Sequence, residues 1–134
     1  ETAQLYCTLI ERVRTTGRPI TGPFRCDAPT ARRFMRLRVS VQENGVMDLD
    51  SGIVREEKRE SQRLLEPTQP RNDELIRMCG WCKKIPLADN RWLEVEDAIT
   101  ELGLFDAESI PQISHIMCPK CFGSTMAAMD EAVA

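Results

Sequence analysis

Apolar residues recur at helical spacing over the first 14 positions: Leu5, Leu9 and Val13 at i, i+4 and i+8, with Ile10 beside them. The pattern predicts a short helix over 1–14, stopped by Gly17 and Pro19. Cys7 lies near its apolar face and reads as a small buried hydrophobe. The period then falls to two. Ile20, Phe24 and Cys26 share one face of a candidate strand over 20–27. After a turn at 27–30, Met35, Leu37, Val39 and Val41 share one face of a second strand over 32–41, with Arg36, Arg38 and Ser40 on the other. Asn44-Gly45 is the strongest hairpin signal, since both residue types tolerate positive φ. A third strand follows over 46–54, with Met47 and Leu49 facing inward. Together these predict an antiparallel three-stranded meander with one wet face.

The pattern changes again after Val54. Residues 55–66 are densely charged with mixed signs and read as a solvated helical connector, ended by Pro67 and Pro70. Further on, Trp92, Val95, Ile99 and Leu102 mark one face of a helix over 91–102. Asp89 or Asn90 is placed to cap it and Gly103 to end it. Trp92 reads as core on this periodicity. Residues 104–113 read as a loop, 114–117 as a short extended lead, and the stretch from Cys121 to about Val133 as a last helix. The predicted class is α+β in three parts: a sheet unit over 1–58, a charged, Pro-containing linker over 59–75, and a module over 76–134.

Charge is unevenly spread. Residues 1–59 carry 11 Lys/Arg against 8 Asp/Glu, whereas 60–134 carry 7 against 13, for a net charge of −3. The acidic second half argues against sequence-independent nucleic-acid binding there. In the first half, Arg25, Arg32, Arg33, Arg36 and Arg38 offer either an anion-binding row or a solvated sheet face. On the second reading, acids such as Asp27, Asp48 and Asp50 pair with them across strands. The solvated face is the favoured reading. No apolar run is long enough for a membrane-spanning helix. The chain begins with Glu1 rather than Met and reads as an excerpt or a processed chain.

The candidate chemistry lies in the cysteines. Four of the 6 form two Cys-x-x-Cys pairs, Cys79/Cys82 and Cys118/Cys121. Two such pairs supply the thiolates of a closed tetrahedral zinc site and suit a reducing compartment better than a disulfide framework. Gly80 is expected to relax the first turn. Lys83 and Lys84 are placed to offset the charge of about −2 on a zinc tetrathiolate. Cys118-Pro119-Lys120-Cys121 is a second knuckle, and a helix N-terminus at Cys121 would stabilise its thiolate. The 35 residues between the pairs exceed the usual spacing, and the intervening helix accounts for the excess. A treble-clef or ribbon-like arrangement is expected. His115, the sole histidine, is either an alternative ligand or a hydrogen-bonding or packing neighbour of the site.

Two resemblances add context. The helix, the three-stranded run and the charged exit at Val54-Arg55-Glu56-Glu57-Lys58 resemble the second half of a PAS sensor domain, over about residues 1–58. That resemblance implies that the first half, with much of any ligand pocket, is absent. Cys79, Cys82, Lys83, Lys84, Ile85, Trp92, Val95, Glu96, Ser114, His115, Cys118, Pro119 and Cys121 resemble a small cysteine-rich module. It occurs at the C-terminal end of bacterial signalling proteins with PAS, GAF or receiver domains. Ile116 stands where such modules often have Gly after His.

The functional expectation is a non-enzymatic, cytoplasmic sensor or interaction protein with a structural zinc, acting with a protein partner or upstream sensory domain; a homodimer is a further option. A lone His and the lack of a Ser-His-Asp set or Gly-rich phosphate loop argue against most enzymes. The first alternative is redox or electron-transfer chemistry, through a zinc-thiolate switch or a rubredoxin-like iron site. Cys79-Gly80-Trp81-Cys82 resembles a thioredoxin-type pair, but no βαβ context is expected around it. The second alternative is nucleic-acid binding through the arginine face, which lacks a base-stacking aromatic cluster.

Overall fold

The computed structural model describes residues 2–104 and 108–133. The first helix, α1 (Thr2–Thr16), buries Leu5, Leu9 and Val13 as their spacing requires. Cys7 lies off that stripe and is exposed, so it is not the buried hydrophobe expected. Three strands follow: β1 (Ile20–Arg25), β2 (Ala31–Val41) and β3 (Met47–Lys58). They form one antiparallel sheet in the order β1-β2-β3. Ile20 faces Val39, and Val39 faces Leu49. The Asn44-Gly45 hairpin forms, but only Gly45 takes positive φ (84°), and the turn closes through Gly45 N–H to Gln42 C=O at 2.9 Å. Asn44 instead accepts the Val46 N–H on its side chain, at 3.1 Å. Cys26, read as a strand residue, lies just beyond β1 and is exposed.

One expectation beyond the third strand fails, and Leu49 faces inward as expected, opposite Val39, yet stays exposed. The charged stretch 55–66 is not a helix: β3 runs through Lys58, and only Arg63–Leu65 forms a 3-10 turn. Cross-strand partners explain this. Glu56 and Glu57 lie opposite Arg33 and Arg32, and both pairs form ion pairs. Leu49 is 49 % exposed and Ile53 58 %. They share the inner sheet face, but α1 packs on β2 and the last helix on β1, which leaves the β3 end uncovered.

The second half begins with β4 (Arg71–Cys79) and continues with a hairpin of β5 (Ile85–Pro86) and β6 (Trp92–Leu93). Then come α2 (Val95–Glu101), β7 (Ile110–Ile116) and α3 (Pro119–Val133). α2 is shorter than its apolar pattern suggested. Trp92 belongs to β6, half-buried against the core. Glu94, not Asp89 or Asn90, stands at the N-cap, without a capping side-chain bond. Gly103 follows the helix at φ 66°, as expected. Part of the expected loop over 104–113 is strand: β7 pairs in parallel with β4. Residues 105–107 of that expectation lie outside the described residues.

Two cores result. One joins Leu5, Leu9, Val13 and Val39 to Cys79, Trp81 and Met129. The other gathers Met78, Ile85, Val95, Ile99 and Ile110 around Leu64, which comes from the charged connector yet is only 1 % exposed. The mixture of three helices with an antiparallel sheet agrees with the α+β expectation.

Buried ion pairs cross between the halves. The Arg25 side chain (7 % exposed) bonds Asp27 (2 %) through two nitrogens and Glu94 at 2.7 Å. Arg59 (5 %) reaches Asp27 at 3.4 Å and Glu96 at 3.1 Å, and Arg32 reaches Glu96 at 3.0 Å. Removing one member of such a cluster strands a buried charge. Asp27→Ala is therefore expected to cost about 3–5 kcal/mol in urea unfolding.

The Glu96 carboxyl has its own pH signature. Desolvation works to raise its pKa, but its own backbone N–H, Arg32 and Arg59 outweigh that and hold it below the ordinary 4.5. A depressed folded value stabilises above the unfolded pKa and loses that contribution as pH falls through the folded one. Glu96→Gln should thus lower the urea midpoint at neutral pH, with the gap to wild type closing below pH 4.5.

Candidate metal centre

The first cysteine pair sits where β4 ends. The Cys79 N–H donates to Lys84 C=O at 2.8 Å and the Lys83 N–H to Cys79 C=O at 3.0 Å, which folds the chain back on itself. The bend is taken by Lys83, at φ 64°, and not by Gly80 as the sequence suggested. A non-glycine residue in that region costs roughly 1–2 kcal/mol. The Lys83 Nζ partly offsets this by donating to Gly80 C=O at 2.8 Å. Gly80 has another setting: a Cβ there would sit 3.8 Å from the His115 Cβ and the Ile116 carbonyl. Its N–H donates to that same carbonyl at 2.8 Å, which ties the turn to the end of β7.

The second pair straddles the start of α3. Cys118 immediately precedes the helix, Pro119 opens it and Cys121 lies in its first turn. Proline suits that first position because its missing N–H would have no helical partner. Parallel pairing of β4 with β7 sets Cys79 opposite Ile116, which delivers the two pairs to one place.

All four Sγ atoms lie within 4.8 Å of one another. Zinc with Zn–S bonds of ~2.3 Å in tetrahedral geometry requires sulfurs ~3.8 Å apart. The Cys82 and Cys118 sulfurs are 3.8 Å apart. Backbone N–H groups already point at the sulfurs: Trp81, Cys82 and Cys118 donate to Cys79 Sγ at 3.4, 3.5 and 3.4 Å, and Cys121 to Cys118 Sγ at 3.3 Å. Such donors orient thiolates and spread their charge. Cys79 and Cys118 are buried; Cys82 and Cys121 are half-exposed. The residues fit a metal ion.

The thiols divide electrostatically. A hydrogen bond from Cys82 lowers the Cys79 pKa to about 4, against desolvation and with help from the Cys118, Cys82 and Trp81 N–H groups. The same bond raises Cys82, with desolvation adding to it. Desolvation and the Cys118 hydrogen bond push Cys121 up to about 12. Cys121 lies in the first turn of α3, at the helix N-terminus that the sequence suggested. Four sulfurs this close can all ionise only around a cation, and metal binding then releases their protons.

His115 is not one of the four clustered groups. It lies on β7 opposite Met78 with an exposed side chain. Desolvation, then the Lys83 ammonium, hold its pKa below the ordinary value, while Cys79 pulls the other way. The parallel β4 and β7 with α2 between them do form a crossover, which the sequence reading denied. Even so, Cys79 enters a turn and hairpin, not the helix start that a thioredoxin-type pair occupies.

The arginine row is largely engaged with acids. Arg25, Arg32 and Arg33 all form ion pairs, and Arg38 bonds Ser40. Glu94 and Glu96, which carry several of these pairs, were not singled out for them in the sequence. Their signal is only acidity at the first turn of a helix. No helix among the described residues is long and apolar enough to cross a membrane. No family model matches the chain, and comparison with curated proteins and with solved structures returned no match.

Cys79→Ser and Cys118→Ser are each expected to lose the metal and the folded signal of residues 76–122, while Cys7→Ser and Cys26→Ser keep both. Metal analysis beside circular dichroism checks this, and stoichiometric metal in Cys79→Ser would remove that residue from the ligand set. At the bend, Lys83→Gly should leave metal content and melting temperature nearly unchanged. Lys83→Val should cost about 1–2 kcal/mol more than the glycine variant, because a β-branched residue resists positive φ.

Proposed function

We propose that this chain is a non-enzymatic interaction or signal-transduction protein of a reducing cytoplasmic compartment, built on a structural four-cysteine zinc site. The observation that carries this reading is the convergence of the Cys79, Cys82, Cys118 and Cys121 sulfurs within 4.8 Å. Four thiolates complete a tetrahedral shell and leave no open position for substrate or water. His115 stays outside the ligand set, and Lys83 and Lys84 balance the site's charge. A knuckle after β4, a short hairpin and a second pair at a helix start support a treble-clef arrangement of the module over 76–134. Joining it to a sheet unit over 1–58 through a connector over 59–75 is part of the same reading.

The sheet supports a PAS-like, bacterial sensory context through its element order, helix then three-stranded meander. Its third strand supports a protein partner or an upstream sensory segment, with a second copy as the homodimeric option. β3 is an edge strand with Leu49, Ile53 and Val54 all exposed. An edge strand with free backbone N–H and C=O groups is a template for an added strand. Nucleic acid is not the partner we propose, because Arg25, Arg32 and Arg33 of the row that would meet phosphates are paired with carboxylates.

A redox-responsive or electron-transfer role is the second reading. Its supporting observation is that Cys82 and Cys121 are half-exposed, so an oxidant can reach them. Metal analysis with a visible spectrum on protein purified without chelator separates the readings. We expect one colourless zinc per chain, and loss of fold on chelation. Iron with visible absorbance would favour electron transfer, and zinc released stoichiometrically by mild peroxide, then regained on reduction, would favour the switch.

A further inference from the structure

Beside the metal centre lies a cleft of about 880 Å³, within the range of small-molecule sites. One wall is the inner sheet face: Ile20, Gly22, Phe24, Leu37 and Val39. The other comes from the second half of the chain: Trp81, Trp92, Pro119 and Ala128. Cys82, Cys118 and Cys121 also border it.

Its charge is one-sided. Among the described residues, the charged ones lining it are Arg25, Lys84 and Lys120, and no Asp or Glu does so. This is notable because residues 60–134, which supply both lysines, carry 13 acidic groups against 7 basic ones. Arg25 is consumed by Asp27 and Glu94. The Lys84 and Lys120 ammonium groups meet no side-chain or backbone acceptor among the described residues. A zinc tetrathiolate of about −2 is offset by Lys83 and Lys84, which leaves Lys120 as one surplus positive charge at the cleft.

We propose that this cleft binds a small amphipathic carboxylate, its alkyl or aromatic body between the sheet and the two tryptophans and its single anionic head at Lys120. Such a ligand fits an apolar enclosure with a few convergent polar groups. The count of one head charge rests on the zinc reading, whereas the apolar enclosure does not.

Gly22 supplies a direct handle. It is a strand residue on the cleft wall, without positive φ, and a Cβ added there would meet nothing within 4 Å. Gly22→Leu therefore adds apolar bulk at the cleft wall, and its Cβ displaces no neighbour. The chain's 2 tryptophans both line the cleft and report occupancy by fluorescence.

The test titrates the full, metal-loaded chain with decanoate and with decan-1-ol, with metal content measured on every sample. We expect a saturable fluorescence change at one site, with decanoate binding about tenfold tighter than the alcohol, the size expected of one charge-assisted contact. Lys120→Gln should bring the carboxylate down to the alcohol's affinity. Gly22→Leu should keep its metal and bind neither. No saturable change with decanoate, or undiminished binding by metal-replete Gly22→Leu, overturns the proposal. Equal affinity for acid and alcohol overturns its anionic part. If Gly22→Leu does not fold, the wild-type amide spectrum decides. Shifts of the Gly22 amide and Trp92 indole N–H on adding decanoate support the site, and their absence overturns it.

Discussion

Mutual repulsion among four sulfurs is the constraint on which the rest depends. Cys79, Cys82, Cys118 and Cys121 are brought within 4.8 Å by two turns that are far apart in sequence. Without a cation the thiols cannot all ionise: the hydrogen bond between Cys82 and Cys79 lowers Cys79 and raises Cys82, and desolvation with the Cys118 hydrogen bond raises Cys121. A metal ion held by the four sulfurs would convert that frustration into bonds, and would close the long loop that contains the hairpin, α2 and β7. The backbone donors around Cys79 orient its sulfur.

The metal turn is not a separate bead. Trp81, between the first two cysteines, packs beside Tyr6 and Phe24, and its indole N–H donates to Pro23 C=O at 2.6 Å. The Arg25 N–H returns a bond to Trp81 C=O at 2.8 Å. The Arg25, Asp27, Arg59, Glu94 and Glu96 cluster fixes the same two halves from the other side. Buried ion pairs of this kind add little net stability over apolar packing, but they penalise any arrangement that leaves a member unpaired. They therefore act chiefly on specificity: the sheet and the metal turn have one way to meet. The cleft between them is the space that this docking leaves, and its lining takes apolar groups from both halves and its lysines from the second.

Local chemistry was legible from residues alone wherever a short-range rule governs it. Leu5, Leu9 and Val13 announce a helix face, the alternation from Met35 to Val41 announces a strand, and Gly45 announces the hairpin. The four clustered cysteines were identified because Cys-x-x-Cys spacing is itself a geometric statement about one ion. Other features escaped for identifiable reasons. Residues 55–58 looked helical because mixed charges suit a helix, but Arg32 and Arg33 across the sheet made them strand. Trp92 fell on a helical period by coincidence, and the hairpin took it. Leu64 looked like part of a connector because its burial depends on residues such as Ile99 and Ile110, distant in sequence.

The sequence by itself determined the periodic elements, the thiol set and the acidic bias of the second half, because each depends on neighbours within a few positions. Only the tertiary structure decided the parallel pairing of β4 with β7, the exposure of Leu49 and Ile53, and the left-handed backbone at Lys83. It alone decided the salt-bridge cluster and the cleft. These depend on which surfaces meet, and contact between residues tens of positions apart leaves no local period to read.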